Sequence, residues 1–505
     1  MDKSRKKYAL KNISYNITSK IVTLILTFIS RTVFIWVFGA EYLGINGLFS
    51  DVLNLLSMAD LGFNIAMVYS FYQPLATNDT EKISALICFY RKVYIVIAIA
   101  VTCIGLLIIP VLPYLIKLDT DIPDIVIYYL ISLANVVSSY ICVYKTSILT
   151  ADQKNYIIVR ITLISNIIKT LLQIGCILIV KNYIVYLLIG LFITLFNNIY
   201  ASRVASKTYP YINEKKEISS QEKKNIFKNI GSVFIFKISN VLMNATDNLL
   251  ISMIVGTVAV GYYSNYFIIQ TNVISFYALL FTSITASVGN LIVTEKAEKR
   301  YEIFKTEQSI GFIMAGIIVP CFVTLANDFI NVWLGNNYVL NFSVIIAMGI
   351  NMYLSCVLQP LWTFREATGL YRQTKWIMII CAVINIVLSY VLGKIFGIAG
   401  IIFASAASRL LTYIWYEPIL LFRQYFERGV KKYYLNLILN LLLVSGICVI
   451  CAIITRFIPV NNFALFFIEL AVIFIVSVLL SFICYKNTSG IKMIRSIFEK
   501  KLLKK

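Results

Sequence analysis

The chain has 505 residues, of which 59% are hydrophobic and 14% charged, with a mean hydropathy of +0.82. A water-solvated surface does not tolerate so apolar a composition over this length, so a soluble globular fold is excluded and lipid is the solvent for most of the chain. A formal net charge of +21 raises nucleic acid as a partner, but the placement of that charge along the chain gives it another meaning.

A bilayer core takes about 20 apolar residues in helix, whereas a membrane barrel would show weakly alternating segments of about ten. The long apolar runs here therefore predict an all-α, polytopic membrane protein. Fourteen spans are expected, at 12–38, 42–73, 83–110, 122–150, 157–180, 182–202, 229–256, 258–293, 303–327, 338–364, 376–396, 397–422, 433–455 and 462–485. The basic stretch from Met1 to Lys11 precedes a run as long as a full span with no small-residue cleavage site, and reads as the flank of a retained helix. Ten cysteines are scattered through apolar segments of a chain with no histidine. They read as small core residues, and neither metal nor cofactor is expected.

Of 45 Lys and Arg, thirty-six fall in the tails and in alternate loops. The opposite side has Lys117, Lys181, Lys394 and Arg456. The positive-inside rule then places both termini in the cytoplasm, and orientation accounts for the charge without nucleic acid. Five cations remain inside spans: Lys20, Arg31, Lys169, Lys237 and Arg409. Each costs about 2.5–3.5 kcal/mol at the bilayer centre on insertion scales, so each needs a partner or a water-filled cavity. Asp51, Asp60, Asp247, Glu417 and Glu469 lie in spans and could pair with them, while Lys20 and Lys237 could snorkel to the cytoplasmic surface.

Spacing favours a cavity. Lys20, Thr23, Thr27 and Arg31 fall in one narrow stripe of the first helix. Asn166, Lys169 and Gln173 repeat the pattern on the fifth span, and Ser405, Arg409, Tyr413 and Glu417 recur at every fourth position of the twelfth. The longest polar stretch, 203–228, follows six spans and reads as a solvated linker. Sliding the chain on itself by 217 residues lays Lys11-Asn12-Ile13 on Lys228-Asn229-Ile230, Lys20-Ile21 on Lys237-Ile238, and Gly39 and Gly44 on Gly256 and Gly261. The expected organisation is a six-helix lobe at 1–203, a cytoplasmic linker at 204–228, a second six-helix lobe at 229–426, and two extra helices with a basic tail at 427–505. Because each copy holds an even number of spans, the repeat is parallel, with a pseudo-two-fold axis along the membrane normal.

By the same offset, Lys237, Asn240, Asn244 and Asn248 are the partners of the first stripe and are expected to face it across a polar, cationic cleft. Such a cleft fits an anionic substrate, Arg presenting a planar donor fork and Lys a mobile point charge. There is no G-x-x-x-x-G-K-[ST] phosphate loop, so ATP hydrolysis is not expected to drive movement. If transport is coupled to Na+ or H+, Asp60, Asp247 or Glu417 is expected to carry the ion.

The run Ser30-Arg31, Phe38-Gly39-Ala40-Glu41-Tyr42-Leu43-Gly44-Ile45-Asn46-Gly47-Leu48-Phe49-Ser50, continuing to Leu55-Leu56-Ser57-Met58-Ala59-Asp60-Leu61-Gly62, resembles bacterial polysaccharide repeat-unit flippases. Further similar stretches are Tyr69 to Ala76, Thr246-Asp247-Asn248 to Gly256, and Val260-Gly261-Tyr262-Tyr263-Ser264-Asn265-Tyr266. The resemblance implies the multidrug/oligosaccharidyl-lipid/polysaccharide (MOP) exporter superfamily: two lobes, alternating access and a V-shaped central cavity. It implies transport rather than catalysis, in the bacterial cytoplasmic membrane. The implied substrate is an undecaprenyl-pyrophosphate-linked oligosaccharide, moved from the inner to the outer leaflet for capsule, exopolysaccharide or O-antigen assembly. Membrane lipids and the pathway's polymerase and glycosyltransferases are the implied partners. Arg31 matches the family's basic residue on the first helix, which is thought to meet the pyrophosphate. The thirteenth and fourteenth spans resemble the pair that forms a groove for the polyprenyl tail in lipid-flipping relatives. The alternatives are an organic-cation extruder of the same superfamily, which would need an acidic cavity, a lipid II flippase, which differs in the sugar, and a membrane polymerase, which would need polar outer loops.

Overall fold

A computed structural model of the chain describes residues 3–57, 63–118, 122–214, 216–224, 226, 242, 246–282 and 284–492. Among the described residues the chain is built of helices and their connections, without a strand. Eleven helices are long and apolar enough to cross a membrane, or twelve if Ile125–Tyr140 and Val143–Ala151, bent by 48° at their junction, count as one. Ser14–Leu56 enters this count once although it holds the first span and the start of the second, and most of the seventh span, 229–245, lies outside the described residues.

Among the described residues the other thirteen expected spans meet helix, with boundaries that differ by a few residues, and the seventh does so over 246–254. The second span starts at residue 40, directly after Gly39, whose φ of 80° and ψ of −178° break the helix Lys3–Leu56. Helix resumes at Phe63–Ala76 to complete the span. Only glycine takes such a backbone conformation without strain, so the turn between the first two spans needs no loop. Elsewhere the turns are set by side-chain caps. Asp79 accepts from the backbone N–H of Lys82, Asn182 from Val185 and Asn462 from Leu465, while Gly369 closes a helix in the left-handed region.

Packing divides the chain into two compact units, Met1–Gly261 and Tyr262–Lys505. The boundary falls at Gly261, so the described end of the seventh span, 246–256, lies in the first unit. In it the first span packs against the fifth, Asn155–Ile179, which packs in turn against the sixth, Tyr183–Thr208. The second unit is organised around the ninth span, Ala297–Leu334, which touches the tenth, thirteenth and fourteenth. Leu325 of the ninth span, Ile447 and Cys451 of the thirteenth, and Phe466 and Ile473 of the fourteenth form one buried cluster.

Within the first unit the 217-residue offset has a structural counterpart. It relates Ala40 to Thr257 and Gly44 to Gly261. A Cβ on Gly44 would overlap the carbonyl of Thr257, and a Cβ on Gly261 would overlap the carbonyl of Ala40. Each glycine thus lies against the backbone of the other's fourth-preceding residue, the reciprocity of an isologous contact between helices crossing at small residues. Gly256, the counterpart of Gly39, also has positive φ, at 144°.

The stretch expected to be a solvated linker is docked instead. The sixth span runs on to Thr208, and a turn at Pro210–Asn213 follows. Ile212 and Ile218 are buried. Ser84 donates its hydroxyl to the Tyr211 carbonyl at 2.7 Å. Three ion pairs, Lys82–Glu222 at 2.9 Å, Lys216–Glu81 at 3.0 Å and Lys92–Glu217 at 3.1 Å, fasten the stretch to the start of the third span. The mixed signs that suggest solvation are the complement of the charges opposite.

Candidate functional site

The first helix presents its polar stripe to the fifth. Between them, and against Tyr186 of the sixth span, lies a cavity of about 240 Å³. Thr23, Thr27 and Arg31 line it from one side and Asn166, Lys169 and Gln173 from the other. The Thr27 hydroxyl donates to its own helix at the Thr23 carbonyl, 2.7 Å away, which leaves the oxygen lone pairs to accept. Gln173, 7% exposed, is held by a 3.1 Å bond from its amide nitrogen to the Tyr186 carbonyl. Among the described residues no acidic side chain lines this cavity. Two cations facing one polar space suit an anion, with Arg31 supplying a fork and Lys169 a point charge.

Asn46, Lys169, Gln173 and Tyr186 also line a second cavity of about 270 Å³, which extends among the second, fourth and sixth spans. Apart from Lys169 its polar lining is uncharged. Rings pack along the side of the site nearest the Gly39 turn: Phe34 with Tyr186 at 5.2 Å between centroids, Phe38 with Tyr183 at 5.6 Å, Tyr42 with Tyr183 at 5.1 Å, and Tyr128 with Tyr183 at 4.8 Å. Phe34 and Tyr186 belong both to this cluster and to the cavity wall.

The remaining expected residues are placed differently. Lys20 is half-buried but does not line the cavity. Asn248 does not reach it either, because its amide nitrogen donates to the Asp51 carboxylate on the second span. Asp247 beside it is half-buried. Lys237, Asn240, Asn244 and Asp60 lie outside the described residues.

Arg409 belongs to the second unit, where the expected stripe is interrupted. Thr412, with φ −124° and ψ −101°, ends the helix Ile398–Leu411 before Tyr413–Leu421 begins. Ser405, at the start of the stripe, accepts from the Asn385 amide at 3.0 Å. Glu417 forms a 2.8 Å ion pair with Arg365, and both side chains are buried. The expected ion carrier on the twelfth span is therefore engaged by a cation that sequence reasoning had put in a loop. The tenth span was expected to end at 364, one residue short of Arg365, whereas the helix continues to Thr368. The unmet need of Glu417 for a counter-charge was the signal that could have found Arg365. Glu307 of the ninth span was also missed: it is 3% exposed, and both its carboxylate oxygens are without a hydrogen-bond partner among the described residues.

The second unit also has an apolar cleft of about 300 Å³. Val319 and Val323 of the ninth span, Ile346 and Tyr353 of the tenth, and Leu441 and Val444 of the thirteenth line it.

Fold and site together define a multi-pass helical membrane protein with a cation-bearing cavity inside its first unit. The family model described as polysaccharide biosynthesis protein matches residues 9–288, more than half of the chain, and the protein belongs to that family. Among solved structures the fold is similar to the lipid II flippase MurJ in an inward closed conformation, at 14% identity and a TM-score of 0.70, covering 95% of this chain and 99% of that one. It is also similar to an inward-facing multidrug resistance MATE family transporter of the MOP superfamily, at 13% identity and a TM-score of 0.57 over 78% and 97% of the two chains. A mutant of the Vibrio cholerae MATE transporter VcmN matches at 11% identity and a TM-score of 0.54, over 85% of this chain and all of that one. No curated protein matches the chain by sequence.

Proposed function

We propose that the protein is a lipid-linked oligosaccharide flippase: it carries an undecaprenyl-pyrophosphate-linked repeat unit from the inner to the outer leaflet of the bacterial cytoplasmic membrane. The observation that carries this reading is the convergence of Arg31 and Lys169 on one cavity, set among hydroxyl and amide groups. Pyrophosphate suits the two cations, and a polar glycan suits the neighbouring donors and acceptors. The apolar cleft at the thirteenth span has the chemistry a polyprenyl chain requires, and the family's description agrees with a polysaccharide pathway. In the proposed cycle the head group enters from the cytoplasm, where both termini lie, the lobes alternate their access, and release outside hands the unit to the polymerase. Coupling to Na+ or H+ through Asp247 or Asp60 belongs to the same proposal.

An organic-cation extruder is disfavoured by the same lining, because two cations repel a cationic substrate. The test is complementation of a flippase-null strain. Arg31→Ala is expected to abolish it with normal protein in the membrane, and full complementation by that variant would overturn the assignment.

A further inference from the structure

The two cavities of the first unit share a wall but differ in chemistry. The one at Arg31 has two cations. In the other, Lys169 stands at the shared wall, and every other polar side chain in the lining is an amide, a hydroxyl or a phenol, among them Asn46, Asn54, Ser132, Asn135 and Thr194.

The hydroxyls and amides of this second compartment are unevenly committed. Ser132 donates to the Tyr128 carbonyl at 2.8 Å and Thr194 to the Gly190 carbonyl at 2.9 Å, so each has spent its proton on its own helix and offers lone pairs. Asn135 holds its amide oxygen buried without a hydrogen-bond partner among the described residues. The side-chain amides of Asn46 and Asn54 make no hydrogen bond among the described residues. A buried amide oxygen left unsatisfied is destabilising, and a ligand hydroxyl restores its hydrogen bond. Acceptors and amide donors mixed at short range around a space with no carboxylate suit a polyol, whose hydroxyls each give and take one bond. A sugar carboxylate would meet the lone pairs of Asn135, Ser132 and Thr194, with Lys169 at the rim as the sole counter-charge.

We propose that the compartment lined by Asn46, Asn54, Ser132, Asn135 and Thr194 is a subsite for an uncharged sugar, and that it selects a neutral first residue on the lipid pyrophosphate held at Arg31 and Lys169. This rests on the flippase reading given above. Lys169 and Gln173, which face both compartments, mark the position of the bond between pyrophosphate and sugar.

Three probes separate the two ideas: undecaprenyl pyrophosphate, undecaprenyl-pyrophosphoryl glucose and undecaprenyl-pyrophosphoryl glucuronic acid, each titrated against the full-length protein in nanodiscs. The wild type is expected to bind the glucose form about tenfold more tightly than the sugar-free lipid, and the glucuronate form no more tightly than the sugar-free lipid. Asn135→Leu and, separately, the more exposed Asn54→Leu are expected to bring the glucose form down to the sugar-free affinity, with melting curves recording that each variant is folded. Equal affinity of the wild type for the glucose and sugar-free lipids, or a glucuronate form bound as tightly as the glucose form, overturns the subsite and leaves the flippase reading intact. If Arg31→Ala binds sugar-free undecaprenyl pyrophosphate as tightly as the wild type does, the reading at Arg31 itself fails.

Discussion

Both units bury arginine in the membrane, and they do opposite things with it. In the first, Arg31 and Lys169 open onto a polar cavity whose other described polar lining is hydroxyl, amide and phenol. In the second, Arg365 is joined to Glu417 at 2.8 Å, both side chains shut away from solvent. The first arrangement leaves positive potential directed at a space that can be filled. The second uses its charge internally, as a tie between the tenth and twelfth spans. An intramembrane cation is therefore not by itself a substrate contact; Arg31 and Lys169 border an open polar space, whereas Arg365 is closed over by Glu417.

The sharpest way to break this contrast is to cut the tie. Removing one partner of a buried pair typically costs about 3–5 kcal/mol, because the other charge is stranded. Glu417→Ala should therefore lower the thermal unfolding midpoint of the purified protein by more than a replacement at Arg31, Gly44 or Lys82 does. The double replacement Arg365→Met with Glu417→Leu should recover most of that loss and retain transport. A double variant that is stable but inactive would show that the pair belongs to the mechanism and not only to the scaffold. Arg31 should behave in the reverse sense. Arg31→Ala should lower the unfolding midpoint less than Glu417→Ala does and weaken binding of undecaprenyl pyrophosphate by about 1.5–3 kcal/mol, the range for hydrogen bonds to a charged group. Arg31→Lys should recover only part, since an ammonium cannot reproduce a planar fork.

The glycine contact gives a smaller and symmetric effect. Gly44→Val and Gly261→Val each force a side chain against a backbone carbonyl, so each should destabilise by about 1–3 kcal/mol and by similar amounts. Strongly unequal losses would contradict the reciprocity of the contact. The smallest effect belongs to the docked stretch at 209–224. Lys82 donates a hydrogen bond to Glu222 and holds its carboxyl below the usual glutamate range. A carboxylate depressed in the folded state contributes stability above its unfolded value, about 4.3, and loses it as the pH falls further. Proteolysis within 209–224 should therefore speed up modestly below about pH 4 or in high salt, and Lys82→Ala should reproduce that rate at neutral pH.

Much of this was readable from sequence, for identifiable reasons. Span positions follow from hydropathy, which lipid imposes on every residue. The stripes Thr23, Thr27, Arg31 and Asn166, Lys169, Gln173 followed from helical spacing within single helices, but their meeting did not, since the first stripe was expected to face Lys237, Asn240, Asn244 and Asn248. The failures lie where a residue's role depends on a partner far along the chain or on a helix end. Arg365 was misplaced because a hydropathy boundary falls several residues before the helix stops. Asn248 was expected in the cavity because the repeat says which residues are equivalent and not what each one touches; Asp51 is 197 residues away. The stripe on the twelfth span failed because nothing in its spacing announces the break at Thr412. The stretch 203–228 was read by composition, and composition does not record that Glu217 and Glu222 have Lys92 and Lys82 opposite them.

The crossing at Gly44 and Gly261 has a further consequence. Helices that meet through interdigitated side chains must withdraw each knob from its hole before they part, and every withdrawal adds to the barrier. Here glycine lies on carbonyl from both directions, and the side chains nearest the crossing are the small Thr257 and Val260. A joint built on backbone and small side chains has short knobs to withdraw, so parting it costs little rotamer rearrangement and strands little desolvated surface.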